Sequence, residues 1–142
     1  MTNEQIRQYG LKFRKAIESL TTSEFPQSSF FENFPRGCCG DTSNLFAKYL
    51  SKKGIDALYV WGINQNDYSH AWLEYRGVII DLTADQFPEI HDKVIVSKES
   101  DWYKQFTMQG RYKSDFEEFN QYNSQRLGQV YKNIMNRLES SE

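Results

Sequence analysis

Ser69-His70-Ala71-Trp72-Leu73-Glu74-Tyr75-Arg76-Gly77-Val78-Ile79-Ile80-Asp81-Leu82-Thr83 is the stretch on which the fold turns. Two runs rich in aromatic and aliphatic residues, 69–75 and 78–83, flank Arg76-Gly77, a pairing that predicts an antiparallel hairpin with a two-residue loop. In that register Tyr75 faces Val78 and Trp72 faces Asp81, so His70 lies two residues along on the face of Asp81. Such diagonal neighbours stand roughly 7–8 Å apart, within reach of an imidazole and a carboxylate that lean together. A Tyr75-Arg76 loop would set His70 directly opposite Asp81 and serve equally, whereas a three-residue loop would send Asp81 to the other face. Asp81 closes the apolar run Val78-Ile79-Ile80, where a carboxylate needs a partner or water, and His70 is the obvious partner.

Working outward, Ile55–Ile63 reads as a preceding strand, separated from the hairpin by Asn64-Gln65-Asn66-Asp67, and Lys93–Ser97 reads as a short further strand. Upstream, residues 39–53 predict a helix with Thr42, Leu45, Phe46, Tyr49 and Leu50 facing inward and Gly54 as its C-terminal cap. Residues 2–20 predict another, capped by Thr2, with Ile6, Tyr9, Phe13, Ile17 and Leu20 on one face. Between them, 21–38 reads as loop, yet Phe25, Phe30, Phe31 and Phe34 argue that it packs on the core and walls the cleft. Ser114 with Glu117 forms a capping box predicting a helix to about Leu138. The order is helix, loop, helix, antiparallel strands, helix: an α+β domain with segregated helices and sheet, spanning 1–142 as one unit.

At 142 residues, the chain can bury a core without disulfide staples. The formal net charge of −2, with both signs interspersed and no basic cluster, argues against nucleic acid as partner. No apolar run reaches membrane-spanning length, and the polar N-terminus lacks the layout of a secretory signal, so cytoplasmic residence is the expectation. Cys38 and Cys39 are adjacent, a strained geometry for a disulfide, and are expected to stay reduced. Vicinal cysteines are poor ligands for one tetrahedral ion, so no metal is expected and no cofactor either.

Gly37-Cys38-Cys39-Gly40-Asp41 opens the second helix. A helix N-terminus offers unsatisfied N–H groups and partial positive charge, both of which favour a thiolate. An imidazole lowers the thiol pKa further and protonates the leaving group, and a carboxylate behind it fixes the tautomer. Phe34–Phe87, carrying Gly37-Cys38-Cys39, then His70-Ala71-Trp72-Leu73-Glu74, then Asp81-Leu82-Thr83, resembles the core of the transglutaminase-like, papain-related superfamily in its small, bacterial-type, single-domain form.

That resemblance implies a nucleophile-bearing helix packed on an antiparallel sheet and flanked by N- and C-terminal helices. It implies Cys39 as nucleophile, His70 as general base and acid, and Asp81 as orienting carboxylate, with Cys38 a packed bystander. The chemistry implied is acyl transfer on a peptide or protein amide through a thioester, resolved by water (peptidase, amidase or deamidase) or by an amine. A silent binding module is the alternative. The backbone N–H of Cys39 is the first oxyanion donor, with Gln27 and Asn33 as side-chain candidates. Trp72 and Trp61 are expected as core or cleft wall, Trp72 also shielding the ion pair or touching substrate. Asp85 and Gln86 are expected to cap the loop that follows, and Asn64–Tyr68 with 84–113 to shape the cleft.

Overall fold

The structure is a computed structural model describing residues 1–20 and 31–140. Helix α1 (Asn3–Ser19) starts at Thr2, whose hydroxyl accepts from the Gln5 N–H while the Gln5 side chain accepts from Thr2 N–H, a reciprocal capping box. Helix α2 (Cys39–Ser51) follows, then strands β1 (Leu58–Ile63), β2 (Ser69–Tyr75), β3 (Val78–Asp81), β4 (Ile95–Ser97) and β5 (Thr107–Lys113), and last helix α3 (Gln121–Ser140). The strands form one antiparallel sheet in the order β4-β3-β2-β1-β5.

The hairpin takes the first of the registers open to it. Tyr75 pairs with Val78, Glu74 with Ile79 and Leu73 with Ile80. Arg76 and Gly77 both have positive φ, 50° and 76°, the backbone twist that closes a two-residue hairpin.

Both faces of the sheet are covered. On one, Leu73, Val78, Ile80 and Val96 meet Ile6, Phe13 and Ile17 of α1, Leu45, Phe46 and Leu50 of α2, and Leu127, Val130 and Ile134 of α3. On the other, Val60, Trp72 and Ile79 lie under Tyr103 and Phe106, with Phe87, Ile95 and Trp102 packed alongside. The segment between β3 and β5 is thus the second layer, and it brings its aromatic rings over His70.

Arg14 ties this layer to α1. It is buried, forms a two-pronged ion pair with Asp85 (2.6 and 2.7 Å) and donates to the carbonyls of Leu82 and Lys93. Arg14→Ala strands Asp85 and two carbonyls, and should cost roughly 3–5 kcal/mol, read as a lower urea midpoint.

Two expectations are corrected, and one strand is added. Ser114 does not cap a helix: its hydroxyl donates to Asn44 Oδ1 at 2.7 Å. Asp115 instead caps a short 3-10 turn, Phe116–Glu118, by accepting from the Glu117 N–H, and α3 begins only at Gln121. Strand β5, which the sequence leaves unassigned within 84–113, is an edge strand exposed along almost its whole length.

Candidate active site

Gly37 has φ +75°, a left-handed conformation that a side chain would strain, and it turns the chain into α2. The helix opens with Thr42 N–H donating to the Cys38 carbonyl at 2.8 Å. Cys39 is the first helical residue and is partly accessible, whereas Cys38 is buried with its thiol 3.4 Å from the Pro35 carbonyl.

His70 and Asp81 form the centre of the site. His70 Nε2 lies 2.7 Å from Asp81 Oδ2, with both side chains essentially inaccessible. Asp81 also accepts from Tyr103 Oη at 2.8 Å and from the Thr83 backbone N–H at 2.9 Å. With Nε2 engaged, the ring presents Nδ1 to its other neighbours. Gln86 Nε2 donates to it at 3.0 Å, and the Cys39 thiol bonds to the same ring. Since two N–H groups cannot face one another, protonating Nδ1 requires the Gln86 amide to turn its oxygen inward.

Burial works against all three charges, and the arrangement outweighs it. It pushes the Cys39 thiol up, but the bond to His70, the imidazolium charge and a backbone bond from Ala71 leave it below the ordinary range. Burial pushes His70 down, but Asp81, and then Cys39, raise it to about 9. Burial likewise opposes the Asp81 carboxylate, but His70, Thr83 and Tyr103 hold it below the usual carboxylate range. Cys38, two residues from Gly40 but without this company, is pushed up to about 12 by burial.

An aromatic box encloses the imidazole. The rings of Trp72, Phe87, Trp102, Tyr103 and Phe106 have their centroids 5.2–6.4 Å from it. Their faces and edges exclude water from the pair, and a π face toward an imidazolium adds attraction. Behind α2, Arg126 of α3 pairs with Asp41 at 2.8 Å, neutralising a carboxylate in the first turn of the helix that carries Cys39.

The structure therefore brings Cys39, His70 and Asp81 together. Trp72 is buried in the box, its indole N–H without a partner among the described residues. Asn33 is exposed at the end of a 3-10 turn, Phe31–Asn33, with no side-chain bond to Cys39 among the described residues. Gln27 and the segment 25–30 lie outside the described residues. The described remainder of that segment packs as expected, with Phe31 buried and stacked on Phe34. Asp85 is spent on Arg14 rather than on a loop cap. Gln86 and Tyr103 were the partners that sequence reasoning missed. The signal for Gln86 was its place five residues after Asp81; Tyr103 carried none, since only the tertiary fold brings it there.

Among the described residues no helix is long and apolar enough to cross a membrane. Comparison with known proteins gives a profile match to the Transglutaminase-like superfamily over residues 4–109, a span that holds Cys39, His70 and Asp81. The chain is 32% identical over 92 residues to Uncharacterized protein YuaU of Escherichia coli (strain UTI89 / UPEC), an alignment covering 58% of this chain and 42% of that protein. The chain thus matches less than half the length of this curated relative. No solved structure gave a significant match. A profile match over well over half of the sequence, on an α+β fold of helices against an antiparallel sheet, shows that the chain belongs to the transglutaminase-like superfamily.

Proposed function

We propose that this protein performs cysteine-dependent acyl transfer on a peptide or protein amide, with Cys39 as nucleophile, His70 as general acid and base, and Asp81 as orienting carboxylate. Membership of the superfamily supports the coarse chemistry. The observation that carries the assignment of roles is the buried 2.7 Å contact between His70 and Asp81, with the Cys39 thiol hydrogen-bonded to the same ring.

The steps follow from that order. The Cys39 thiolate adds to the amide carbon, and the C=O π electrons move to oxygen. The tetrahedral intermediate collapses as the C–N bond breaks, and the leaving amine takes the proton from His70 Nδ1, leaving a thioester. Water attacks the thioester carbon while Nδ1 takes its proton. The acid departs and the Cys39–His70 pair is restored. Asp81 keeps its charge throughout and offsets that of the imidazolium. An amine in place of water would give transamidation from the same intermediate, but hydrolysis is the simpler assignment because it needs no second substrate.

Incubation with iodoacetamide near neutral pH, followed by peptide mass spectrometry, tests the reading. Cys39 is expected to be alkylated rapidly in the folded protein and Cys38 to be spared. Labelling of Cys39 that is slow, or that requires denaturant, would favour a binding module without turnover.

A further inference from the structure

We infer that Tyr59 is the side-chain donor to the oxyanion of the acyl-transfer reaction proposed above, an assignment that rests on that reading. A tetrahedral intermediate on Cys39 places a full negative charge on what was the carbonyl oxygen. The start of α2 supplies backbone N–H groups that lack partners within the helix, and a side-chain donor beside them would complete the site.

Tyr59 lies on β1, paired with Leu73 of the helix-facing side of the sheet, while its neighbour Val60 points into the opposite aromatic layer. Its hydroxyl therefore reaches the start of α2. A Cβ placed on Gly40 would stand 3.0 Å from Tyr59 Oη, so the hydroxyl abuts the backbone immediately after Cys39, and the glycine makes room for it. The ring is steadied by stacking on Tyr112 of β5, centroids 5.1 Å apart and planes 28° from parallel. No hydrogen-bond partner engages this hydroxyl among the described residues. Burial, and then the negative charge on Cys39, hold the phenol above its ordinary range, so it keeps its proton whenever the thiolate is present.

The competing donors stand elsewhere around the imidazole, whereas Tyr59 Oη is the side-chain atom within 4 Å of the Cβ position on Gly40 among the described residues. Gln86 Nε2 is on His70 Nδ1. The indole of Trp72 is wedged against Tyr103 and Phe106 at 4.9 and 5.7 Å, on the Asp81 side of the imidazole. Tyr59 is the donor that stands on the thiol side.

Two reagents on the full chain separate this role from any other. Acetylation of Cys39 by 4-nitrophenyl acetate passes through an oxyanion, whereas alkylation by iodoacetamide displaces iodide at a saturated carbon and forms none. Tyr59→Phe keeps the ring and its stack but removes the donor. The burst of 4-nitrophenolate should slow roughly 10²-fold, the lower end of the loss seen on deleting one oxyanion donor, while the alkylation rate holds. Gly40→Ala, which pushes the hydroxyl aside, should reproduce the split. Full-rate acetylation in Tyr59→Phe would overturn the assignment alone. So would an equal loss in both reactions, since Tyr59 would then be acting on the thiolate. A wild-type protein that fails to alkylate at Cys39 would instead bring down the parent reading, and this one with it.

Discussion

Cys39→Ala is expected to abolish iodoacetamide labelling at the site and to lower acyl transfer by a factor on the order of 10⁶, the scale of losing a triad nucleophile. Cys38→Ala should leave both largely intact. The two thiols are neighbours in sequence, yet the fold gives them opposite chemistry. Cys39 is the first residue of α2, in the positive field of the helix start and bonded to His70. Cys38 sits one step earlier, buried beside the Pro35 carbonyl and the Thr42 side chain, its thiol pushed up to about 12 by that burial. Parallel peptide mapping and turnover assays on the two variants decide the matter. Labelling and activity that survive in Cys39→Ala but vanish in Cys38→Ala would sink the assignment.

Asp81→Asn should fold, because it keeps shape and volume, yet lose roughly 10²–10⁴ in rate. The direct effect of Asp81 on Cys39 is a repulsion of the thiolate, outweighed by the bonds and charge that lower that thiol. Its effect through His70 runs the other way, since it is the chief influence raising the imidazole to about 9. Removing the carboxylate therefore raises the thiol by a longer route, through loss of the imidazolium.

The sign of the pH dependence follows. In the wild type the reactive thiolate–imidazolium form opens as pH rises through the depressed value of Cys39 and closes as it passes about 9 and His70 discharges. In Asp81→Asn both limits move inward, and the alkylation rate should lose its neutral plateau and track an ordinary thiol. Asp85→Asn is the comparison. It weakens the tie to Arg14 and so affects stability, but leaves the charge beside His70 in place. An Asp81→Asn protein that is folded by circular dichroism and keeps the full neutral plateau would remove Asp81 from its role.

The hairpin and its pairing of His70 with Asp81 were legible because the information is local. Arg76-Gly77 fixes the register, and register alone decides which side chains share a face. The start of α2 was legible for a similar reason, since Gly37 must adopt positive φ just where the helix begins. Strand β5 was not, because the alternation of Met108, Gly110 and Tyr112 with polar residues at 107–113 is short and has a glycine at its centre, and neither face of this edge strand is buried. Ser114 and Glu117 imitate a capping box, but a tertiary partner, Asn44, takes the serine hydroxyl. The environment of the pair was equally hidden. Tyr103 reaches Asp81 from twenty-two residues away, and Tyr59 approaches Gly40 across the sheet, contacts that no spacing rule encodes.

The Arg126–Asp41 pair bears on how portable the candidate site is. The span matching the superfamily ends at residue 109, part-way along β5, while Arg126 stands on α3, beyond it. The same helix seats Leu127, Val130 and Ile134, none of them accessible, in the core shared by α1 and α2. A fragment cut at the edge of the matched span would keep Cys39, His70 and Asp81 but leave a bare carboxylate in the first turn of α2, where negative charge opposes a thiolate. It would also open an apolar trough along the back of that helix. The span by which the family is recognised therefore stops short of the residues that neutralise and pack its own nucleophile-bearing helix: a graft of the candidate site has to carry α3 with it.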